Sequence, residues 1–356
     1  MRIAQVAPLY ECVPPKLYGG TERIVSYLTE ELVRLGHDVT LFASGDSLTK
    51  AKLLPISPQA LRLDSKCVDS LAHHVRMLEE IVAHQNEFDL IHFHIDYLHF
   101  PLARMMGWTT LTTLHGRLDI PDLAPLFSEF REMPVSSISN AQREPLPWLN
   151  WQGTAYHGLP KNHYEFSPKS KGYLAFLGRT SPEKGLDEAI AIAKKVGMPL
   201  KVGAKVDNAD LEYFEQQLKP LMQAPDIEFL GEIGFPEKNQ LLGGAEALLF
   251  PIQWPEPFGI VMIEALACGT PIIAYAQGSV PEVLEDGITG SLVSDVDSAA
   301  RAAMQISRTI DRATCRRRFE ERFTSDVMCS QYLKMYQALL RQEGETIAER
   351  SGVPIA

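Results

Sequence analysis

YLAFLGRTSPEKGLDEAIAIAKKVGMPLKV, residues 173–202, decides the fold. Residues 173–177 are a short apolar run with the length and content of a buried strand. Residues 178–185 carry the glycines, proline and serine of a loop. Apolar residues then recur at helical spacing over 186–196, and Gly197 is a helix stop. Residues 200–202 open another strand. Strand, loop, helix and strand in this order predict a β-loop-α-β unit in a parallel sheet.

The chain begins the same way. Residues 3–7 read as a strand, Gly19-Gly20 follow a proline-rich loop, 21–35 read as a helix stopped by Gly36, and 37–42 as the next strand. Further strands are expected at 89–94, 109–114 and 135–139. A third unit runs through 247–250, the loop bearing Glu256, a helix over 257–268, Gly269 and the strand 271–275. Between the halves, residues 158–171 have prolines, charges and no apolar periodicity, the composition of a linker. The class is therefore α/β, with domains at 1–160 and 161–324. A helix from 325 carries Val327, Met328, Tyr332, Leu333, Tyr336, Leu339 and Leu340 at helical spacing. It is expected to pack back toward the N-terminal domain and to give way to a polar tail from about Gln342.

Composition narrows the function. A chain of 356 residues with 45% hydrophobic and 22% charged content is globular and large enough for two domains. A net charge of -11 argues against nucleic acid as a partner and against a general attraction to anionic lipid. No stretch is long and apolar enough to span a membrane, and no signal-peptide core follows Met1. Peripheral membrane contact stays open. The five cysteines form no C-x-x-C pair, which speaks for neither a disulfide framework nor a zinc site and suits a cytoplasmic location. Arg316-Arg317-Arg318 reads as a solvated helix face.

The chemistry concentrates in two acids. Residues 257–268 read as a helix that is apolar nearly all round, hence buried, with Glu264 its only charge. A buried carboxylate is costly unless paired. Glu256 precedes it by eight residues, in the loop feeding the helix N-terminus. Free N–H groups there suit anions and hydroxyl oxygens, and carboxylates accept from diols. Each acid alone has a plainer reading: Glu256 as a loop acid near a helix dipole, Glu264 as a structural ion pair. Together they suit a sugar nucleotide. Arg179 and Lys184 place two cations at the carboxyl end of the strand 173–177, where a departing diphosphate gathers charge; a surface pair around Glu183 is the alternative. His115, at the tip of the strand 109–114, is placed for a hydroxyl contact or proton transfer, or for a structural role. Tyr18-Gly19-Gly20-Thr21-Glu22 lets backbone approach a phosphate, although a plain turn explains it too. His92, His94, His99 and His115 lack a carboxylate or cysteine to complete a metal set. Asp295 and Asp297 resemble D-x-D, but Asp295 reads as a helix N-cap.

FLGRTSPEKG (176–185), EPFGIVMIEALACGTPIIA (256–274) and GSVPEVLEDGITGSLV (278–293) resemble the family-4 glycosyltransferases, retaining enzymes of the GT-B fold. The opening loop and YHGLP (156–160) are similar to the branch that includes the avilamycin-pathway transferase. The family often has N-G where this chain has His157-Gly158. The resemblance implies two Rossmann-like β/α/β domains facing across a cleft. It implies that Arg179 and Lys184 hold a diphosphate, with Gly19 and Gly20 closing over it, and that Glu264 binds the ribose diol. Glu256 and the N–H groups of Phe258, Gly259 and Ile260 would hold the transferred sugar, His115 would lie beside that sugar, and Glu232 and Ile233 would border the base.

The expected activity is retaining transfer of a hexose from a nucleoside diphosphate sugar, taken as UDP-glucose, to a hydroxyl acceptor, with no metal and no separate cofactor. Retention agrees with an opening loop whose only base candidates are Tyr10 and Glu11. The alternatives are an epimerase or phosphorylase on the same fold, or a sugar-nucleotide-binding module without turnover. The segments 44–72 and 116–134, with Trp108, Trp148 and Trp151, are expected loops shaping the acceptor site. Acceptor identity and oligomeric state are not legible in the sequence.

Overall fold

The computed structural model describes residues 1–17 and 19–351, without side chains for 346–351. The chain forms two compact units. The first comprises Met1–Ile138, Arg143–His157 and the segment from Ser325; the second comprises Ser139–Gln142 and Gly158–Thr324.

In the first unit the strands are β1 (Arg2–Val6), β2 (Asp38–Ser44), β3 (Lys52–Ser57), β4 (Leu90–Phe93), β5 (Thr110–Thr113), β6 (Val135–Ser137) and β7 (Trp151–Thr154). They form one sheet in the order β3-β2-β1-β4-β5-β6-β7, parallel throughout. Parallel sheets are covered on both faces, so their strands read as apolar runs. One core gathers Leu9, Phe42, Met77, Ile81 and Phe93, and another gathers Phe100, Leu114, Phe127 and Leu146. The helix Ser325–Ser351 belongs to this unit and buries Tyr332 and Tyr336 completely. It runs through the stretch from Gln342 that polarity alone marks as a tail; residues 352–356 lie outside the described residues.

The second unit repeats the plan with β8 (Tyr173–Arg179), β9 (Leu200–Lys205), β10 (Ile227–Gly231), β11 (Ala245–Phe250), β12 (Ile272–Tyr275) and β13 (Gly290–Val293). The order is β10-β9-β8-β11-β12-β13, again parallel. Among the described residues no helix is long and apolar enough to cross a membrane.

Four expectations fail for physical reasons. The segment 44–72 is not one loop, since it contains β3 and leads into the helix Ser70–His84, capped by the Asp69 carboxylate. Likewise the helix Leu123–Glu129 interrupts 116–134. Residues 158–171 are not a free linker, because Tyr164 is buried and its hydroxyl donates to Glu264. Arg316 is not solvated: its guanidinium donates to the carbonyls of Lys161, Tyr164 and Ala267. The Ala267 carbonyl closes the helix Ile260–Ala267, where the last-turn carbonyls have no intrahelical donor, and Arg316 supplies one.

Candidate active site

In the second unit β8 and β11 are neighbours, while the chain winds outward from them in opposite directions. Open α/β sheets bind ligands at such a switch point, beyond the carboxyl ends of the strands. Two loops leave the sheet there. The one after β8 supplies Lys184 and the one after β11 supplies Glu256. Lys184 Nζ lies 2.5 Å from Glu256 Oε2, and both side chains are largely buried, at 15% and 12% exposure. Trp254 Nε1 donates to the same oxygen at 2.9 Å, and the ammonium sits 4.9 Å from the Trp254 ring centre. The sequence reading placed both residues in the site and missed that they hold one another.

Arg179 ends β8. Its guanidinium meets Glu183 at 3.1 Å, Asp207 at 3.8 Å and Asp210 at 4.0 Å. Asp207 also takes Lys205 at 2.9 Å. Burial would raise the Glu183 pKa, but the Ser181 hydroxyl, backbone N–H donation and the charges of Arg179 and Lys184 hold it below the ordinary value. Asp207 and Asp210 follow β9 and were not singled out in the sequence. Their only signal is the V-D-N-A-D run at a strand's carboxyl end.

The helix after Glu256 spans Ile260–Ala267, shorter than the apolar run from Pro257 implies. Gly259 explains the late start. Its φ is 76°, and a Cβ there would meet Met262 Cε at 2.8 Å. The first turn therefore begins at Ile260, and Phe258 turns inward, buried edge-on against Phe323. Glu264 is 3% exposed. It accepts from Tyr164 Oη at 2.6 Å and lies 3.7 Å from Lys238 Nζ. Ile233, just past β10, is buried against Gly203 of β9.

The first unit has its own switch point, between β1 and β4. The loop after β1 leads to Gly19 and Gly20, the start of the helix Gly20–Arg34. Gly19 has φ 148°, and a Cβ there would meet Pro15 Cβ at 2.7 Å. Tyr18 lies outside the described residues. Glu11 pairs with Arg62 at 3.3 Å. It is not the only early carboxylate of consequence: Glu22, in the first helical turn, is buried, and burial followed by the charge of Glu11 pushes its pKa up to about 6.

His115 follows β5. Its Nε2 lies 2.9 Å from His94 Nδ1, and its ring stacks on His157 at 5.4 Å between centres. Burial holds the His115 pKa down to about 3, and those of His92, His94, His99 and His157 well below the ordinary value, so these rings are neutral. Among the described residues no three His, Cys, Asp or Glu side chains are arranged to hold a metal ion. Asp295 caps the helix Val296–Thr309 in a reciprocal box with Ser298. Trp108, Trp148 and Trp151 pack against the core clusters of the first unit.

This geometry meets the comparisons with known proteins. The family model for glycosyl transferases group 1 matches residues 162–325, and that for glycosyltransferase family 4 matches residues 18–159. The chain belongs to the glycosyltransferases. The enzyme is 25% identical over 95% of its length to a phosphatidyl-myo-inositol mannosyltransferase of Mycobacterium leprae, and spans 97% of that relative. It spans only about half, 47%, of another curated relative it matches. Among solved structures, a glycosyltransferase involved in avilamycin A biosynthesis aligns with TM-score 0.74 at 23% identity, over 96% of this chain and 98% of the other. The Anabaena protein HepE, in complex with UDP and glucose, aligns with TM-score 0.73 at 18% identity, over 95% and 99%. These likenesses show the fold, GT-B.

Proposed function

We propose that the enzyme transfers a hexose from a nucleoside diphosphate sugar to a hydroxyl acceptor, with retention of configuration. The observation that carries this reading is the Lys184–Glu256 pair at the second unit's switch point, with Glu256 in the loop that leads into the helix Ile260–Ala267. Lys184 and Arg179 supply charge for the diphosphate. An incoming diphosphate competes with Glu256 for Lys184 and with Glu183, Asp207 and Asp210 for Arg179. Glu256, released from the lysine, then accepts from the sugar hydroxyls, with the N–H groups of Phe258, Gly259 and Ile260 alongside. Glu264 takes the ribose diol, and Glu232 and Ile233 border the base. Gly19, Gly20 and His115 are the first unit's contribution, to the phosphates and to the sugar.

In the reaction the bond from C1 to the phosphate oxygen breaks and its electron pair stays on the phosphate. The acceptor oxygen bonds C1 on the same face, and its proton passes to the leaving phosphate. Fixed cations stabilise the charge that grows on that phosphate. Because Lys184, Arg179 and a helix N-terminus can supply this charge, no metal is needed.

UDP-glucose is the first donor to test. A mannosyl donor is the second reading, favoured by the likeness to the mannosyltransferase along nearly the whole chain. The deciding experiment follows nucleoside diphosphate release from UDP-glucose and from GDP-mannose, with and without hydroxyl acceptors. The transferase reading requires release that depends on an acceptor. Conversion of the donor into an epimeric nucleotide sugar with no net diphosphate release, or phosphate-dependent formation of a sugar phosphate, would favour the epimerase or phosphorylase class. Binding with no turnover at all would leave a binding module.

A further inference from the structure

A chain of buried polar groups in the first unit ends at His115. His115 Nε2 meets His94 Nδ1 at 2.9 Å, and His94 Nε2 meets Gln5 Oε1 at 2.9 Å. Gln5 Nε2 donates to Tyr336 Oη at 3.1 Å. That oxygen lies 2.6 Å from His92 Nδ1, and His92 Nε2 lies 2.7 Å from Thr113 Oγ1. Thr113 Oγ1 in turn meets Ser136 Oγ at 2.8 Å and Tyr332 Oη at 3.1 Å. Gln5, His92, His94, Thr113, Tyr332 and Tyr336 are all buried. The series joins β1, β4 and β5 to the helix Ser325–Ser351.

Such a series has a direction. A neutral imidazole has one donor and one acceptor nitrogen, an amide has one donor end and one acceptor end, and a hydroxyl has one proton. Fixing any member therefore fixes its neighbours. In one direction His115 Nε2–H donates to His94 Nδ1, His94 Nε2–H donates to Gln5 Oε1, Gln5 Nε2–H donates to Tyr336 Oη, and Tyr336 donates to His92 Nδ1. In the reverse direction the Gln5 amide is turned over, so that its Nε2–H donates to His94 Nε2 and its Oε1 accepts from Tyr336, and at every other link the proton sits on the other partner.

The two ends decide between them. At the Thr113 end the hydroxyls of Thr113, Ser136 and Tyr332 rotate, so either direction is satisfied. At the other end stands His115 Nδ1, which is shielded and has no hydrogen-bond partner among the described residues. The forward direction leaves it a bare acceptor. The reverse direction leaves it an N–H with nothing to donate to, and orphaned buried donors are the rarer and costlier defect.

We infer that Gln5, His94 and Tyr336 are positioning residues that hold His115 as the neutral Nε2–H tautomer, with Nδ1 left a bare acceptor. Any part of His115 in the reaction rests on its proposed place beside the transferred sugar; the tautomer does not. The helix Ser325–Ser351 thus acts on the site through one hydroxyl group.

The test uses the full chain with 15N-labelled histidine. Couplings between ring nitrogens and carbon-bound ring protons report which nitrogen of His115 carries the proton. Wild type is expected to show His115 protonated at Nε2 only. In Tyr336→Phe the Gln5 amide loses the partner that orients it, and His115 is expected to become a mixture of tautomers. Gln5→Leu, which frees His94 Nε2 directly, is expected to do the same. Tyr332→Phe removes a buried hydroxyl from the same helix but off the path to His115, and should leave the tautomer unchanged; Gln5→Leu keeps the test available if Tyr336→Phe does not fold. His115 protonated at Nδ1 in wild type, or one tautomer retained in both Tyr336→Phe and Gln5→Leu, overturns the inference. Turnover is read separately at saturating donor. A mixture of tautomers with wild-type kcat would remove His115 from the reaction, a failure of the proposed function that leaves the tautomer assignment standing.

Discussion

Lys184 and Glu256 close an ion pair of 2.5 Å across the point where β8 and β11 part. Each residue does two jobs in this account: it neutralises the other across the switch point and meets a different part of the donor when one binds. Lys184→Ala should lower turnover by about 10²-fold or more, as losing one fixed transition-state donor does. It should also cost stability of about 1–3 kcal/mol, because a largely buried carboxylate loses its cation. Initial rates at saturating donor and urea unfolding measure the two effects. Wild-type turnover would reduce the pair to a structural bridge.

Glu264 separates binding from packing. Its carboxylate already has Tyr164 and Lys238. If it also takes the ribose diol, Glu264→Gln weakens nucleotide binding by ~1–3 kcal/mol, the scale of a hydrogen bond to a charged group. Tyr164→Phe keeps the carboxylate and should affect stability more than affinity. Calorimetric titration of both variants with UDP checks this, and equal affinity for Glu264→Gln and wild type would leave Glu264 a structural acid.

Much of this was legible in the sequence, and the misses share a cause. The strands, Gly197 and Gly36 as helix stops, and the acids eight residues apart follow from local rules of periodicity and punctuation. The late start at Ile260 turns on a positive φ at Gly259, which an apolar pattern does not encode. Arg316 reads as solvent-exposed because its neighbours are charged; only the fold brings three carbonyls to it. The carboxylates around Arg179 come from the end of another strand, and the series from His115 to Tyr336 joins residues 331 positions apart at Gln5 and Tyr336. Long-range pairing of this kind leaves no trace in spacing.

Glu22 gives a pH signature. Its folded pKa, raised from 4.5 to about 6, means that the folded state binds the proton more tightly than the unfolded chain. Stability from this group is complete below about pH 4.5 and is lost as pH rises through about 6, amounting to about 2 kcal/mol at 1.4 kcal/mol per pKa unit. The buried histidines act oppositely. Their depressed pKa values cost stability as pH falls below 6.5. The difference between wild type and Glu22→Gln cancels that contribution. Urea unfolding at pH 4.5 and 7.5 should show the variant gaining relative to wild type at the higher pH; a pH-independent difference would place Glu22 at an ordinary pKa.

Stereochemistry tests the mechanism apart from the site. An α-linked donor should give an α-linked product, activity should survive excess EDTA, and Glu11→Gln should keep most activity because Arg62 already engages Glu11. Proton NMR of fresh product reads the anomer. A β-linked product with an inactive Glu11→Gln or Glu22→Gln variant would make that carboxylate a base and replace front-face transfer by inversion.

The central claim is that the second unit's switch point binds the diphosphate of a sugar nucleotide. Titration of wild type, Arg179→Ala and Lys184→Ala with UDP and GDP by calorimetry tests it most directly. The account predicts saturable binding of at least one nucleotide by wild type and weakening by ~1–3 kcal/mol in each variant, with folding retained. Wild-type affinity in both variants, or no binding of either nucleotide to wild type, would contradict it.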